Sequence, residues 1–583
     1  MSLTAALNNA LTSIQTLNSA VSVVSDNIAN ATNETYNSRN AVFQTLSYGG
    51  VKLADIQRLS NDGLMRDLLR QISSVGATEV QDTYYRRLEE LAGTIDGNTP
   101  LVDYVESFRT AWKGFEAAPE SQAAQREVTI AADLMAREIS RLANGIEEIN
   151  TEINREITST IDTLNTSLGE VDRLNGLIAR ELSAGRPTSN LQNLRDTELA
   201  KIAEITDIRV ISNDDGSVSV YSTSGYDLVA STASTLSYNQ ATQELTKTGV
   251  TGEVTIGSGK LQALLNFVDK SPDAVDSSDP NTGVLEKYRN QLDEFVRMWT
   301  DDSTAAARGT ANLLETGVYA AGTTITLSEN GGAAVTVTLG ALPALNPPTI
   351  TTYREQVESA ISTAIAGAAP ATTTLSGRLT ADGRLELATT AGSLAITGGT
   401  ALASTGLSVQ TVATRDPPTF ARAYADATLY NASELDGGAT ERFFTVTSGT
   451  YPDDLGRFNF QVNSSLMDGT QSLKRLSGSD VVEALNAEVR TYSTAGLTVP
   501  NQDYTGIAAG ILTDVTRRAS LADEATQQAS SIRDNLYSIY RNEVGVSIDE
   551  ETAKLITLQN NYAASARVID VTQTLFDLLE RVV

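Results

Sequence analysis

At the start of the chain the apolar residues Leu3, Leu7, Ala10, Ile14, Leu17, Val21, Val24 and Ile28 recur at alternating intervals of four and three. That is the a/d spacing of a coiled-coil helix, so one face of this segment is apolar without interruption. The other end obeys the same rule through Leu555, Leu558, Tyr562, Ser565, Ile569, Thr572, Phe576, Leu579 and Val583. A second stripe, Val568, Val571, Leu575, Leu578 and Val582, runs beside the first. Ser547 and Glu550 have capping-box spacing for the start of this helix, and Ala525, Ala529, Ile532, Leu536 and Ile539 predict another helix before it.

Between the ends the period changes twice. Ile146, Ile149, Ile153, Ile157, Ile161, Leu164, Leu168, Val171, Leu174, Ile178 and Leu182 form a long helical stripe, closed by Ala184-Gly185-Arg186-Pro187. Leu191, Leu194, Leu199, Ile202 and Ile205 predict a second helix folded back on it. After 207 the period drops to two, with Val218, Val220, Leu228 and Val229 as strand positions and Asn213-Asp214-Asp215-Gly216 as a hairpin turn. Helical spacing returns from Gly259 to Thr300 through Leu261, Leu264, Leu265, Val268, Tyr288, Leu292, Phe295 and Trp299. Residues 310 to 415 are rich in Ala, Thr and Gly, and short alternating runs such as Val335 to Leu339 suit half-buried strands. Within them Tyr353 to Ala366 reads as a helix and Leu375 to Leu387 as a hairpin about Ala381-Asp382-Gly383. From about 420 to 505, Phe443, Phe444, Phe458, Phe460 and Val462 mark strands, and Asp480 to Arg490 a helix.

All 13 prolines lie between Pro100 and Pro500, so both ends are free to be helical throughout. A lone helix in water draws little stability from itself and needs its apolar face covered. Each buried Leu or Ile contributes roughly 1.5 to 3 kcal/mol, so the terminal stripes demand a partner. One reading pairs the two ends with each other inside a monomer. The other sets them against equivalent helices of neighbouring subunits. Asn8, Asn9, Thr12 and Ser13, with no charge before Asp26, and a C-terminal stripe that continues to Val583, tilt the expectation toward assembly.

Composition removes most chemistry. With no His and no Cys, the common zinc and haem ligands, thiol nucleophiles and His-based catalytic dyads are missing, so neither a metal nor a cofactor is expected. The formal net charge of −29 repels phosphate backbones and anionic lipid, so nucleic acid is no partner. No run is apolar enough to span a membrane, and no secretory signal is legible before Arg39, the first basic residue. Carboxylate chemistry, as in an acidic secreted glycosidase or adhesin, stays open in principle, yet no acidic pair in the β-rich middle stands in a recognisable setting.

Three segments carry a family resemblance. Ser25-Asp26-Asn27-Ile28-Ala29-Asn30-Ala31, followed by Tyr36 and Arg39, resembles the motif after the first helix of bacterial flagellar rod, hook and hook-associated proteins. Gly545-Val546-Ser547-Ile548-Asp549-Glu550-Glu551, with Leu558 to Ile569, resembles the closing segment of the hook–filament junction proteins, and Asn193-Leu194-Arg195-Asp196 is similar to their middle. Residues 350 to 400 resemble an insertion repeat of flagellins and hook-associated proteins. The family's Thr-Pro-Gly-Tyr turn reads Asn33-Glu34-Thr35-Tyr36 here, without the residues that would fix a tight turn.

The resemblance implies a structural subunit and not an enzyme. It would be exported unfolded by the flagellar type III system without a cleaved signal, and assembled outside the cell through its terminal helices. Another axial component, hook protein or filament subunit, shares the same terminal physics. Implied partners are further copies of the chain, hook protein, the other junction protein and an export chaperone at the C-terminus. The expected fold is a multidomain α+β chain: terminal helices paired as a coiled coil or bundle, a helical middle, and β-rich outer insertions. Its expected divisions are 1–103, 104–309 with a β unit at 208–258, 310–430, 431–510 and 511–583. The expected assembly interface is Leu3, Leu7, Ala10, Ile14, Leu17, Val21, Val24 and Ile28 with Leu555, Leu558, Tyr562, Ile569, Phe576 and Leu579. The expected motif residues are Asn27, Asn30, Tyr36, Arg39, Gly545, Val546, Glu550 and Glu551.

Overall fold

The computed structural model describes residues 3–33, 36–46, 50–93, 100–240, 243–250, 254–269, 279–301, 303–313, 321–340, 350–372, 374–380, 383–415, 418–426, 442–446, 458–474 and 477–582. The chain starts in α1 (Leu3–Ala29), turns through a hairpin of β1 (Arg39–Thr45) and β2 (Val51–Arg58), and continues in α2 (Asp62–Ala92), α3 (Pro100–Ala117), α4 (Gln122–Ser183) and α5 (Ser189–Ile205). A small β unit follows: β3 (Ile208–Ser212), β4 (Val218–Ser222) and β5 (Asp227–Val229) in one antiparallel sheet, β6 (Leu236–Asn239) and β7 (Glu244–Lys247) in a ribbon. α6 (Lys260–Val268) and α7 (Val284–Thr300) complete this helical body.

An outer unit comes next. Here β8 (Ala305–Asn312), β9 (Thr324–Glu329), β10 (Ala334–Thr338), α8 (Ile350–Ala366), β11 (Leu375–Leu379), β12 (Arg384–Thr389), β13 (Leu394–Gly398) and β14 (Gln410–Val412) build two antiparallel sheets, ordered β10-β9-β13-β14 and β11-β12-β8. The chain then returns through α9 (Phe420–Asp426), β15 (Phe444–Val446), β16 (Phe460–Val462), α10 (Gly478–Asn486), β17 (Arg490–Thr494) and β18 (Leu497–Gln502) to the two closing helices, α11 (Tyr504–Val544) and α12 (Ile548–Val582).

The α4 stripe is the spine of the body. From Ile146 to Ile178 every member is buried. Ser121 caps the helix by accepting the Ala124 N–H at 3.3 Å. Leu182, in the last turn, is half exposed because the sheet over Leu174 and Ile178 ends at the turn containing Gly216. In α5, Leu199, Ile202 and Ile205 are buried as their spacing predicts, whereas Leu194 faces water and Asn193 and Arg195 turn inward instead.

Aromatic side chains join distant stretches. Phe108, Trp112, Trp299, Phe420, Phe443 and Phe444 pack edge-on or tilted, with centroids 5.5 to 6.2 Å apart for most pairs, so Phe420, Phe443 and Phe444 share the core of 104–300. The outer unit has its own core, running from Ala305 to Leu407. A buried ion network bolts the two together. Glu386 of β12 faces Arg378 at 2.8 Å, Arg308 at 3.2 Å and Arg297 at 3.5 Å, while Glu294 of α7 takes Arg297 at 2.6 Å and Arg308 at 2.8 Å.

Three expectations are corrected. The proline-free stretch 1–99 is not helical throughout, because 39–58 is a hairpin. Val42, Phe43, Val51 and Ile56 favour strand, and lack of Pro permits a helix without requiring one. Gly50 in the turn has φ +88°, and any Cβ there would lie 2.9 Å from Thr12 Oγ1 of α1. In α11, Ala529 is buried but Ile532 and Ile539 are exposed, since the helix lays Ala522, Ala529, Tyr540 and Val544 toward α2. Arg490 opens β17 instead of ending a helix, which stops at Asn486.

Candidate functional site

The two ends of the chain meet at the base of the β1–β2 hairpin. Asn27, in the last turns of α1, is fully buried and uses its whole hydrogen-bonding capacity. Its Oδ1 accepts from the Tyr36 hydroxyl at 2.8 Å and the Arg39 N–H at 3.1 Å. Its Nδ2 donates to the Arg39 carbonyl at 2.9 Å and to Glu551 Oε2 at 3.0 Å. Arg39 Nε donates to the Tyr36 hydroxyl at 2.7 Å, and its Nη2 reaches Asp26 at 3.1 Å. Burial raises the Tyr36 phenol despite the opposing Arg39 guanidinium.

Glu551 stands in the first turn of α12, where a carboxylate is favoured by the helix dipole. Of Asp549, Glu550 and Glu551 only the last points inward, and its buried charge is balanced by Lys554 Nζ at 2.6 Å from Oε1. Lys554 also touches Asn40 Oδ1 at 3.3 Å. The exposed Glu550 donates its backbone N–H to Ser547 Oγ at 3.4 Å, the capping contact its spacing predicts.

The α11–α12 corner is laced to the same place. Ser38 N–H donates to the Val544 carbonyl at 2.8 Å, Arg541 Nη1 to the Tyr36 carbonyl at 2.9 Å, and Asn37 Nδ2 to the Tyr540 hydroxyl at 3.0 Å. Gly545 makes the corner possible: its N–H bonds the Arg541 carbonyl at 2.8 Å, and a Cβ would lie 2.4 Å from that oxygen. Asn61 caps α2 by accepting from the Gly63 and Leu64 N–H groups while donating to Glu543 at 2.9 Å. At the foot of β2, Arg58 donates to Asn193 Oδ1 at 2.7 Å and pairs with Asp196. Arg195 turns into the body and donates to the Gly216 carbonyl at 2.8 Å.

Thus Asn27, Tyr36, Arg39 and Glu551 form one network, with Gly545 at its edge. Asn30 only closes α1, through Nδ2 to the Asp26 carbonyl at 2.8 Å, and Val546 is half-buried beside the corner. Glu34 and Thr35 of the departing turn lie outside the described residues. Sequence reasoning missed Asn37, Arg58, Tyr540 and Arg541. Their partners are remote in the chain, and no local spacing announces such pairs.

From this knot α1 and α12 run side by side. The last turns of α1 meet the first turn of α12, so two long helices in contact must be antiparallel. Leu3, Leu7, Ile14, Leu17, Val21 and Ile28 are half-buried and Ala10 and Val24 buried; on α12, Leu555, Leu558 and Ile569 are half-buried. Tyr562 and Phe576 are more exposed, and the side chain of Leu579 lies outside the described residues. In a single chain, then, the ends pair with each other. Among its described members the second α12 stripe stays open: Val568, Val571, Leu575 and Leu578 remain 46, 57, 44 and 52 % exposed, and the side chain of Val582 lies outside the described residues.

Nothing at this knot activates a nucleophile, and among the described residues no group of three acidic side chains is placed to hold a metal ion. A cleft of about 460 Å³ beside the ion network is lined by Arg297, Arg308, Arg415, Glu294, Glu386 and Asp301, whose charged ends are paired with one another.

The chain matches the description "Flagellar hook-associated protein FlgK helical domain" over residues 85–306. It is 23 % identical to flagellar hook-associated protein 1 of Salmonella typhimurium over 604 aligned positions, covering 98 % of this chain and 99 % of that one. It is 20 % identical to the Bacillus subtilis protein of the same name, over 50 % of this chain and 64 % of the relative. A solved structure, the flagellar hook junction protein FlgK from Burkholderia pseudomallei, is similar with a TM-score of 0.44 and 12 % identity, over 81 % of this chain and 99 % of that one. With residues 85–306 matching the family's helical domain and a relative aligned almost from end to end, the chain is similar to the flagellar hook-associated proteins along nearly its whole length.

Proposed function

We propose that the chain is a subunit of the junction between hook and filament, exported unfolded by the flagellar type III system and assembled through its terminal helices. In this reading it meets further copies of itself, hook protein and the second junction protein, and an export chaperone covers the C-terminal segment before assembly. The β-rich outer unit stands away from the wall of the tube, and no catalysis is involved.

The observation that carries the reading is the uncovered second stripe of α12, continued along the closing helices by Leu521, Ile532, Ile539, Ile548 and Ile556, all about half exposed. Each such residue, once covered, contributes on the order of 1 kcal/mol. An exposed apolar set of this size marks a contact surface more than a solvated face. The test is a chain lacking residues 545–583, scored for export and for filament attachment. Its body is expected to melt as the full chain does, while no filament attaches; full-length filaments on hooks carrying only this variant would overturn the proposal.

A further inference from the structure

The a/d stripes of α1 and α12 match each other but do not fix where they match. Both repeat at four and three along their whole lengths, so sliding one helix by a heptad sets apolar layers against apolar layers again and loses only a layer at one end. Ser565 and Thr572 are small enough to face any of the α1 residues. Something else must select one register.

We infer that the buried Asn27–Glu551 pair is that selector: a polar key that sets α12 against α1 in one register and so determines where the outer stripe is presented. The geometry supports it in three ways. Asn27 is fully buried, and its other bonds go to Tyr36 and Arg39, just before and at the start of the hairpin and not on α12, so the amide cannot follow a sliding helix. Glu551 is 2 % exposed, and a slip of seven residues, about 10 Å along the axis, would break its bond to Asn27 and leave the second Asn27 Nδ2 hydrogen buried without an acceptor. Lys554, one turn on, ties the same carboxylate to Asn40 of β1. Single buried polar residues in coiled coils specify register in this manner, at some cost in stability. For assembly the consequence rests on the subunit reading above; the register does not, and it can be read in the isolated chain.

The chain has no cysteine, so introduced pairs report without background. Counting from the Asn27–Glu551 contact in an antiparallel pair brings Ile14 to within one residue of level with Ser565, and Thr572 a heptad beyond that. A disulfide needs Cα atoms within about 7 Å, less than one heptad of slip, so the pair Ile14→Cys with Ser565→Cys reads the native register and Ile14→Cys with Thr572→Cys the slipped one. In the otherwise unchanged chain the native pair alone should cross-link. Glu551→Gln, which still accepts from Asn27, should keep that result. Glu551→Leu should raise the slipped-to-native ratio about tenfold, the mark of lost register specificity. Should Glu551→Leu loosen the helix pair altogether, Asn27→Leu with Glu551→Leu carries the test, because it leaves neither a buried amide nor a buried carboxylate at the contact. That double variant should retain helical content by circular dichroism while cross-linking in both registers. Native-only cross-linking in the double variant, or slipped cross-linking in the parent chain equal to the native, would overturn the inference, whatever the outcome of filament attachment.

Discussion

The spine of the body and the last helix have nearly the same apolar spacing and opposite fates. In α4 every stripe member from Ile146 to Ile178 is buried, because α5, the β3–β7 unit and α6 close over it from several sides. In α12 one stripe rests on α1 and the stripe beside it faces water. Spacing states that a helix has a face to cover. How many neighbours the chain itself supplies decides whether any of that face is left over.

This contrast predicts that substitutions of similar kind have very different effects in the two regions. The largest is expected at Phe108, which has no exposed surface and touches Trp112, Trp299, Phe420, Phe443 and Phe444. Phe108→Ala should lower the stability of the body by about 3 to 5 kcal/mol, read by chemical denaturation. A smaller change would mean that the aromatic junction is looser than the rest of the core.

Acid should act next, at the joint between body and outer unit. Burial pushes the Asp301 carboxyl up, but Arg415 and Arg297 outweigh it and bring it from 3.8 to about 2. Burial likewise opposes ionisation of Glu386, while Arg297, Arg378 and Arg308 hold it well below its ordinary value. Because these folded-state values are depressed, their contribution is complete above the ordinary carboxylate range and is lost as pH falls through it toward 2. For Asp301 alone this is on the order of 2 kcal/mol. Melting of the full chain between pH 5 and pH 2 checks it, with Asp301→Asn expected to flatten the pH dependence.

At the terminal knot, Tyr36→Phe removes one donor to Asn27 and the acceptor for Arg39 Nε, at a cost of about 1 to 3 kcal/mol. Hydrogen exchange should show lost protection across the ends of α1 and α12, with the α4 amides unchanged. The smallest effect on stability, within about 0.5 kcal/mol, is expected for Leu575→Ser on the open stripe. That variant should nevertheless abolish filament attachment, and intact attachment would remove the distinction between the two regions.

Much of this was legible before the fold. The long stripe to Ile178, the Asn213 to Gly216 turn, and the helix and hairpin between 350 and 389 all follow local periodicity and turn chemistry, which act over a few residues. The hairpin at 39–58 was hidden because absence of Pro says only that a helix is allowed. Leu194, Ile532 and Ile539 misled because an apolar residue on a helix flank keeps the period without meeting a neighbour. The candidate site divides in the same way: Asn27, Tyr36, Arg39 and Glu551 could be named from motifs, but not that they touch.

The chain's own order of residues determined which segments are helical, which face of each is apolar, and that histidine and thiol chemistry are absent. Tertiary structure alone decided that α1 pairs with α12, that Glu551 and not Glu550 turns inward, and which of two adjacent stripes remains open. The reason is physical. Periodicity is a property of a few consecutive turns, whereas cover for a face and partners for a buried amide come from segments hundreds of positions away.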